Sequence, residues 1–460
     1  MLPSHMEMHD FGNRLHQLLS PAQPIQSVEF LQGRTEELSR IEKALFASGR
    51  HIFIFGDRGV GKSSLAAAAA NQTQSSDAEY LDIPCAADDT LKSIVANIAY
   101  KTLAASRLRK TKFTANASVE FRYLKAGLTR EITSTDLHNE IRTIGDAVEV
   151  LREVAALHSQ RPVVVLDEFD RMADEAERNK FADLVKQIGD KKINITFFFT
   201  GVGHAVDALL GSHPSAIRQF ETIELPKLSW TARWDIALNA TNALGLDLDE
   251  RTRFRLAAVS DGYPYYVHLI TEKLLWRVYE DPAVITNITW EHYFAALNDA
   301  IVSINAELRR PYEMASSQRS DDYEEVLWAV ADSEFLDRNL KQIYSSYTYV
   351  MGQRTGRTTL SYDGFTAMVR KLRNKSCGEI LVPSRFNRPG WIAYRESLLR
   401  GYARMQAEAH GIELVGDRQE APKQKMHVAA SAGRGYYGSS IPKGVMQGRK
   451  REQNTDEEAE

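Results

Sequence analysis

Residues 52–64 read Ile52-Phe53-Ile54-Phe55-Gly56-Asp57-Arg58-Gly59-Val60-Gly61-Lys62-Ser63-Ser64. An apolar run from His51 feeds directly into the pattern G-x-x-x-x-G-K-[ST], and Leu65 with the alanines Ala66–Ala70 supplies a following helix. Strand, glycine loop and helix in this order are the context the pattern requires. Gly56, Gly59 and Gly61 let the loop curl so that its backbone N–H groups point inward. Asp57, Arg58 and Val60 fill the variable positions, and Ser64 follows the pattern. Inward N–H groups at a helix N-terminus form a nest for phosphate oxygens. Lys62 is placed to reach the terminal phosphates and the Ser63 hydroxyl to coordinate Mg²⁺.

A second motif completes the first. Val163-Val164-Val165-Leu166-Asp167-Glu168 sets four apolar residues before two carboxylates, the pattern of a strand buried on both faces of a parallel sheet. A carboxylate at the C-terminal end of such a strand lands where open α/β sheets bind ligands. Asp167 is placed to hold the Mg²⁺ shell beside Ser63, and Glu168 to polarise an attacking water. An adjacent Asp-Glu pair points to hydrolysis of a nucleoside triphosphate rather than transfer to a metabolite.

At 460 residues the chain has room for two to three domains. Hydrophobic residues make up 43% and charged residues 26%, an ordinary globular composition. The net charge is −4, so any nucleic-acid surface has to be local. Cys85 and Cys377 are far apart and lack metal-ligand spacing, which reads as reduced thiols in a cytoplasmic protein. No window approaches 18 uninterrupted apolar residues, so no transmembrane helix is expected, and the first 26 residues lack the pattern of a secretory signal.

Along the chain, 1–27 is polar and proline-bearing and reads as an N-terminal extension with a short lead helix and linker. Strand signals at 51–55, 79–85, 163–167, 193–199 and 222–225 alternate with helical periodicity over 28–228. That alternation predicts an α/β fold, a doubly wound parallel sheet with helices on both faces. Residues 107–135 partly alternate polar and apolar and read as a β-hairpin insertion. From 229 to 315 the pattern is helical, broken at Gly262-Tyr263-Pro264, and reads as an α-helical lid. Residues 322–410 give helices at 323–331, 336–349 and 361–372. Two short strands there bracket a turn-rich stretch, and a last helix follows, the order of a winged-helix domain. Residues 416–460 lack hydrophobic periodicity and read as a disordered tail.

With these residues in hand, the chain resembles the AAA+ ATPases, in the branch of origin-recognition and replication-initiator ATPases and their bacterial STAND-like relatives. The resemblance runs over roughly 28–405. It rests on the phosphate loop, Asp167-Glu168-Phe169-Asp170, Gly262-Tyr263-Pro264 and the C-terminal pattern, with three weaker matches. Gly33-Arg34 matches a segment that lies near the adenine in relatives, and a Gly-Arg before a helix also serves as a plain start signal. Thr200 stands where relatives sense the γ-phosphate, or simply caps a strand end. Arg218 stands where relatives place an arginine finger toward a neighbour's nucleotide; a guanidinium suits that task, and an exposed arginine also serves as plain surface. One departure is clear: Tyr265 occupies the place of the lid's second-sensor arginine, while Gly262 and Pro264 match the G-x-P of STAND-like relatives. The lid then senses nucleotide through packing at Pro264, with His268 either part of that sensing or a core histidine. The resemblance implies ATP and Mg²⁺, slow turnover and an ATP-dependent homo-oligomer.

Residues 333–402 hold twelve Lys/Arg and five Asp/Glu, a local balance of 12 − 5 = +7. Local basic charge is the electrostatic footprint of nucleic-acid contact. Arg370, Lys371, Arg373 and Lys375 cluster at the end of the third C-terminal helix, and Arg385 and Arg388 sit in the expected wing. Double-stranded DNA is therefore the expected partner. The rival reading is a STAND-like signalling or scaffold ATPase, for instance in phage defence. In that reading the winged helix packs on the core and the output is a protein partner.

Overall fold

The alternation of side chains along a strand explains why residues 52–55 of β1 (His51–Phe55) and 163–166 of β3 (Val163–Asp167) are apolar on both faces. Ile52, Ile54, Val163 and Val165 enter one hydrophobic core, whereas Phe53, Val164 and Leu166 enter the core on the other face. A strand covered on both sides has no polar face to show. With β2 (Leu81–Pro84), β4 (Thr196–Gly201) and β5 (Phe220–Glu224) these form one sheet in the order β2-β3-β4-β1-β5. Every pairing in it is parallel. In this computed structural model the described residues are 3, 6–21, 25, 31–75, 78–109, 122–124, 133–203, 216–317, 319–384 and 388–414. The tail from 416 and Arg385 lie outside them, as does most of the segment read as a hairpin.

Helices α1 (Met8–Leu18), α2 (Thr35–Leu45) and α3 (Lys62–Thr73) precede β2; α4 (Leu91–Arg109), α5 (Ser134–Glu140) and α6 (Ile144–His158) precede β3; α7 (Glu175–Asp190) precedes β4. In α3 the alanines 66–70 are all buried, so small side chains let the helix lie close on the sheet. Residues 122–124 are fixed by one buried side chain: the Glu153 carboxylate of α6 accepts the backbone N–H groups of Arg122, Tyr123 and Leu124 at 2.6–3.1 Å.

Strand β4 begins at Thr196, three residues later than the apolar run at 193–195 implies. The preceding helix ends in a Schellman turn. Lys192 is left-handed (φ 53°), its N–H donates to Gly189 O and that of Ile193 to Ile188 O, both at 3.0 Å, so Ile193 serves the cap rather than the ladder.

After β5 come α8 (Trp230–Ala243), α9 (Glu250–Val259), α10 (Pro264–Glu280), α11 (Trp290–Ser303) and α12 (Ala306–Ser316). This part is not wholly helical: β6 (Asp247–Leu248) and β7 (Asn287–Ile288) make a two-residue parallel bridge. The break before α10 is a left-handed pair, Asp261 (φ 53°) and Gly262 (φ 78°), with Pro264 in the first helical turn, where its missing N–H costs nothing. The C-terminal part runs α13 (Asp322–Ala331), β8 (Arg338–Asn339), α14 (Leu340–Gly352), α15 (Tyr362–Leu372), β9 (Leu381–Pro383), β10 (Trp391–Tyr394) and α16 (Ser397–Ala409). Its three strands form an antiparallel sheet in the order β8-β10-β9. The second helix starts at Leu340 rather than 336, because Arg338 and Asn339 pair with β10 and Asn339 caps α14.

Two histidines are buried in this fold. His51 accepts the Phe197 N–H at Nδ1 (3.0 Å), its Nε2 has no partner, and burial pushes its pKa down to about 3. Burial pushes His268 in α10 down to about 4. Both are neutral when folded but gain a proton near pH 6.5 when unfolded, so their stabilising contribution is complete above pH 6.5 and is lost as the pH falls toward 4. Acidification from pH 7 to 5 should cost about 2 kcal/mol per histidine. Urea midpoints at the two pH values test this. Asn or Gln at either position should remove its share of the slope, and equal midpoints in the parent would refute the assignment.

Candidate functional site

Parallel register brings the C-terminal ends of β1, β3 and β4 to one edge, and the glycine loop curls over that edge. Gly61 (φ 98°) caps α3 in a left-handed conformation, which a residue with a Cβ adopts only at a cost. The Ser63 hydroxyl donates to Asp167 Oδ1 at 2.9 Å, and the Thr200 hydroxyl donates to the same oxygen. The Glu168 N–H in turn donates to Thr200 Oγ1 at 2.9 Å. Four residues expected from sequence to share a site therefore do share one.

Lys62 lies along the loop, donating from Nζ to the carbonyls of Gly56 (3.1 Å) and Asp57 (2.9 Å). Burial lowers its pKa, while the carboxylates of Asp170, Asp167, Asp57 and Glu168 pull it back up. The same acidic field reaches Cys85, whose thiol is pushed up to about 12 by burial and then by Asp89, Asp167, Asp170 and Glu168. A clustered hydroxyl and carboxylate in such a field are hard oxygen donors that suit Mg²⁺. Bound there, Mg²⁺ would neutralise phosphate charge, with Ser63 and Asp167 holding it.

Glu168 is left-handed (φ 52°, ψ 43°), a strained backbone of the kind found at functional sites. Its carboxylate accepts from Arg171 at 2.8 Å, and both side chains are about half exposed. No motif in the sequence singles out Arg171, although its place three residues after Glu168 is what lets the two meet.

Lys62, Ser63, Glu168, Asp170, Arg171 and Thr200 line a cavity of about 570 Å³, a volume within the range of small-ligand sites. Leu31, Leu228, Ile236, Pro264 and Tyr265 contribute apolar surface to its wall. Arg34 also lines it, nearly buried, and braces the structure: it donates to Val60 O (3.0 Å) and Pro226 O (2.8 Å) and pairs with Glu37 at 3.3 Å. Gly33 is left-handed (φ 69°), and a Cβ there would sit 2.3 Å from the Ala232 Cβ, so only glycine fits. His268 lines the cavity too, its Nδ1 accepting the Ser20 N–H at 3.4 Å, and Ser64 Oγ accepts the Ile25 N–H at 3.1 Å. Ser20, Pro21 and Ile25 also lie on the wall; by sequence pattern they belong to a linker.

The remaining expected residues lie elsewhere. Arg218 is exposed ahead of β5, whose Phe220 pairs with His51 at the start of β1. The glycine loop follows Phe55, a strand length of about 17 Å away, so Arg218 is not brought to its own chain's cavity. It lines a separate hollow of about 540 Å³ with Arg50, Arg161 and Lys192. Arg370 and Lys371 end α15, Arg373 caps it and Lys375 follows in a 3₁₀ turn, all four exposed. Arg388 stacks over Trp391 at 5.3 Å. Hollows of about 360 and 570 Å³ both have Arg370 and Arg373 on their walls. Arg58 reaches away from the loop toward Glu396 at 3.8 Å.

Residues 31–197 match the family model of the AAA ATPase domain. No curated protein matches the chain. Among solved structures, the chain is similar to the Walker-type ATPase PABY2304 of Pyrococcus abyssi (15% identity, 83% of this chain and 99% of that one, TM-score 0.49). It is also similar to Cdc6p from Pyrobaculum aerophilum (16%, 86% and 98%, 0.42) and to the Aeropyrum pernix Orc1 protein solved in complex with DNA (14%, 82% and 92%, 0.40). The phosphate loop and the Ser63–Asp167 pair fall within the matched stretch and Thr200 lies just beyond it, so residues 31–197 resemble an AAA ATPase domain in both sequence pattern and site geometry.

Proposed function

We propose that the chain is a slow ATP-hydrolysing switch that assembles with copies of itself and acts on double-stranded DNA through its C-terminal part. The observation that carries the ATPase reading is the convergence of the Ser63 and Thr200 hydroxyls on one carboxylate oxygen of Asp167, in the field that also acts on Lys62. In this reading Lys62 and the loop N–H groups hold the phosphates, Ser63 and Asp167 hold Mg²⁺, and Thr200 orients Asp167. Glu168, once released from Arg171, polarises the water. Arg218 serves a neighbouring copy, a role supported by its distance from its own cavity.

The order of α13 to α16 with a three-stranded antiparallel sheet supports a winged helix, with α15 as the helix that enters the major groove. Four exposed cations at its end support phosphate contact. A second reading, a STAND-like lock with a protein partner, is favoured by one contact: Leu398 of α16 lies against Gly59 of the phosphate loop, where a Cβ would come within 2.6 Å of it.

One experiment separates the two. ATPase rate and DNA affinity should be measured with and without duplex DNA, for the parent and for a protein with Arg370, Lys371, Arg373 and Lys375 all changed to Gln. The DNA reading expects salt-sensitive binding in the parent. In the variant, the slope of log K against log salt should fall by about 0.9 for each phosphate that is no longer neutralised, with ATP binding retained. A parent with no salt-sensitive DNA binding in either nucleotide state would overturn that reading in favour of the lock.

A further inference from the structure

Parallel strands gather the residues that precede them at one end of a sheet, opposite the end that carries the phosphate loop. In this chain those positions are cationic. Arg50 stands just before β1, Arg161 before β3, Lys192 before β4 and Arg218 before β5. Because β3, β4, β1 and β5 are consecutive in the sheet, the four side chains meet, and all of them line the hollow of about 540 Å³.

Few carboxylates answer this charge. Arg50 pairs with one oxygen of Glu221 at 3.2 Å, while Arg40 holds the other at 3.2 Å. Asp190 also stands on the wall, but among the described residues no carboxylate lies within ion-pair distance of Arg161 or Lys192. Arg161 donates from Nη2 to Leu45 O, the last residue of α2, at 2.9 Å. A helix end attracts such a donor unaided, and the contact sets the guanidinium beside residue 46.

Residue 46 is the second feature. Phe46 lines the same hollow and is 84% exposed, the most exposed large apolar side chain among the described residues. A lone surface hydrophobe is ordinary. An uncovered ring on the wall of a cationic hollow is a pairing of two functions: positive charge that tracks a phosphate backbone, and a π-face on which a base stacks.

We infer that this hollow binds a single strand of nucleic acid, with a base stacked on Phe46 and the flanking phosphates neutralised by Arg161 and Lys192. A duplex keeps its base faces stacked inside and leaves Phe46 nothing to meet. An acidic peptide would satisfy the cations but has no base to stack. The site lies at the opposite end of the sheet from the ATP cavity and away from the cations of α15, so it is a binding site beyond the proposed function. Arg218 is left out of it, since its reach toward a neighbouring copy is a separate reading of the same wall.

Fluorescence anisotropy with a labelled oligo(dT) strand and with a duplex of the same length tests the site. Nucleotide is omitted, so that no neighbour's phosphates compete for the hollow. The starting protein has Arg370, Lys371, Arg373 and Lys375 changed to Gln, which silences the C-terminal patch. It should bind the strand more tightly than the duplex. Phe46→Ala and Phe46→Leu should each weaken the strand by about tenfold, within the usual contribution of stacking one base, and leave the salt slope unchanged. Phe46→Tyr keeps the π-face and should keep the affinity. Lys192→Gln should lower the slope of log K against log salt by about 0.7, the share of one phosphate on a single strand, and Arg161→Gln should lower it by as much again. Phe46 and Lys192 are exposed, so urea midpoints of their variants should match that of the starting protein, which separates lost binding from lost folding. A protein that binds no strand, or binds the duplex more tightly, overturns the site. So does a Phe46→Ala or Phe46→Leu protein that holds the strand as well as Phe46 does, since the cations would then be attracting any polyanion without stacking.

Discussion

Glu168→Gln should bind ATP about as well as the parent and turn it over about 10²–10⁴-fold more slowly, the usual contribution of a positioned general base. The substitution keeps the shape of the side chain and removes only the charge that polarises water. Lys62→Ala should fail earlier, at binding, since Lys62 is a half-buried cation whose only described hydrogen-bond acceptors are the carbonyls of Gly56 and Asp57. Both acceptors can be exchanged for phosphate oxygens. The ion pair with Arg171 adds a second handle. Glutamine holds Arg171 less firmly than glutamate does, so any residual rate in the Gln variant reports water attack without the carboxylate rather than a better-placed base. Single-turnover hydrolysis with ATP affinity measured alongside separates the two steps. A Gln variant that hydrolyses at the parental rate would remove Glu168 from the chemistry and leave Asp167 and Asp170 as the remaining carboxylates at the strand end.

The core of the site was legible because its signals are local. Strand β1, the glycine loop and α3 are contiguous, so one stretch of sequence fixes both the loop and the edge it covers. Asp167 follows from the same rule one strand away, since an apolar run ending in a carboxylate places that carboxylate at the ligand edge. The rest of the cavity wall was legible only at Arg34 and Pro264, because Ser20, Pro21, Ile25, Leu228 and Ile236 come from separate segments and no periodicity says that they meet. Phe11 and Leu15 do stand four apart on one helical face, but a face of that kind announces burial without naming what covers it.

The C-terminal charge is a case where a count of residues overstates the surface. Of the twelve cations in 333–402, Arg354 pairs with Asp321 and Glu325, and Arg357 with Asp321, Asp322 and Glu325. These acids lie just before residue 333, outside the stretch whose balance is +7. Arg395 pairs with Glu379, and Arg338 is buried, donating to Ala329 O, Gln342 O and Ser346 Oγ. The exposed cations that remain are concentrated at the end of α15, a narrower patch than +7 implies. Arg400 departs furthest from the expectation. Counted as a surface charge, it is 1% exposed and locked to Asp261.

That pair should be the most costly side-chain contact to break in the joint between lid and C-terminal part. Asp261 receives Arg400 Nε and Nη2 at 2.7 and 2.6 Å, with Lys227 at 3.1 Å and Arg404 at 3.6 Å. Burial pushes its carboxyl up, but the charges of Arg400, Arg404 and Lys227 outweigh that and hold it well below the usual carboxylate range. Lys227, pressed by burial and by the two arginines, falls to about 8 despite Asp261. Without Asp261, two buried arginines and the half-buried Lys227 would face one another, and breaking a buried pair from one side costs about 3–5 kcal/mol. Asp261→Ala should therefore lower the urea stability of the chain by about that much, whereas a surface change such as Lys375→Gln should leave it within about 0.5 kcal/mol. The cost should not be additive: Arg400→Met in the Asp261→Ala background should cost less than Arg400→Met alone, since the arginine then has only the Phe335 and Glu334 carbonyls to lose and no longer the carboxylate. Additive losses would mean that the two residues act independently and that the ion pair does not hold the joint. Asp261 also opens the left-handed turn into Pro264 and Tyr265 on the cavity wall. A strained turn held in place by an ion pair to α16 is where a shift of the C-terminal part would reach the nucleotide, so the Asp261→Ala protein should release nucleotide faster at urea concentrations that leave the sheet folded.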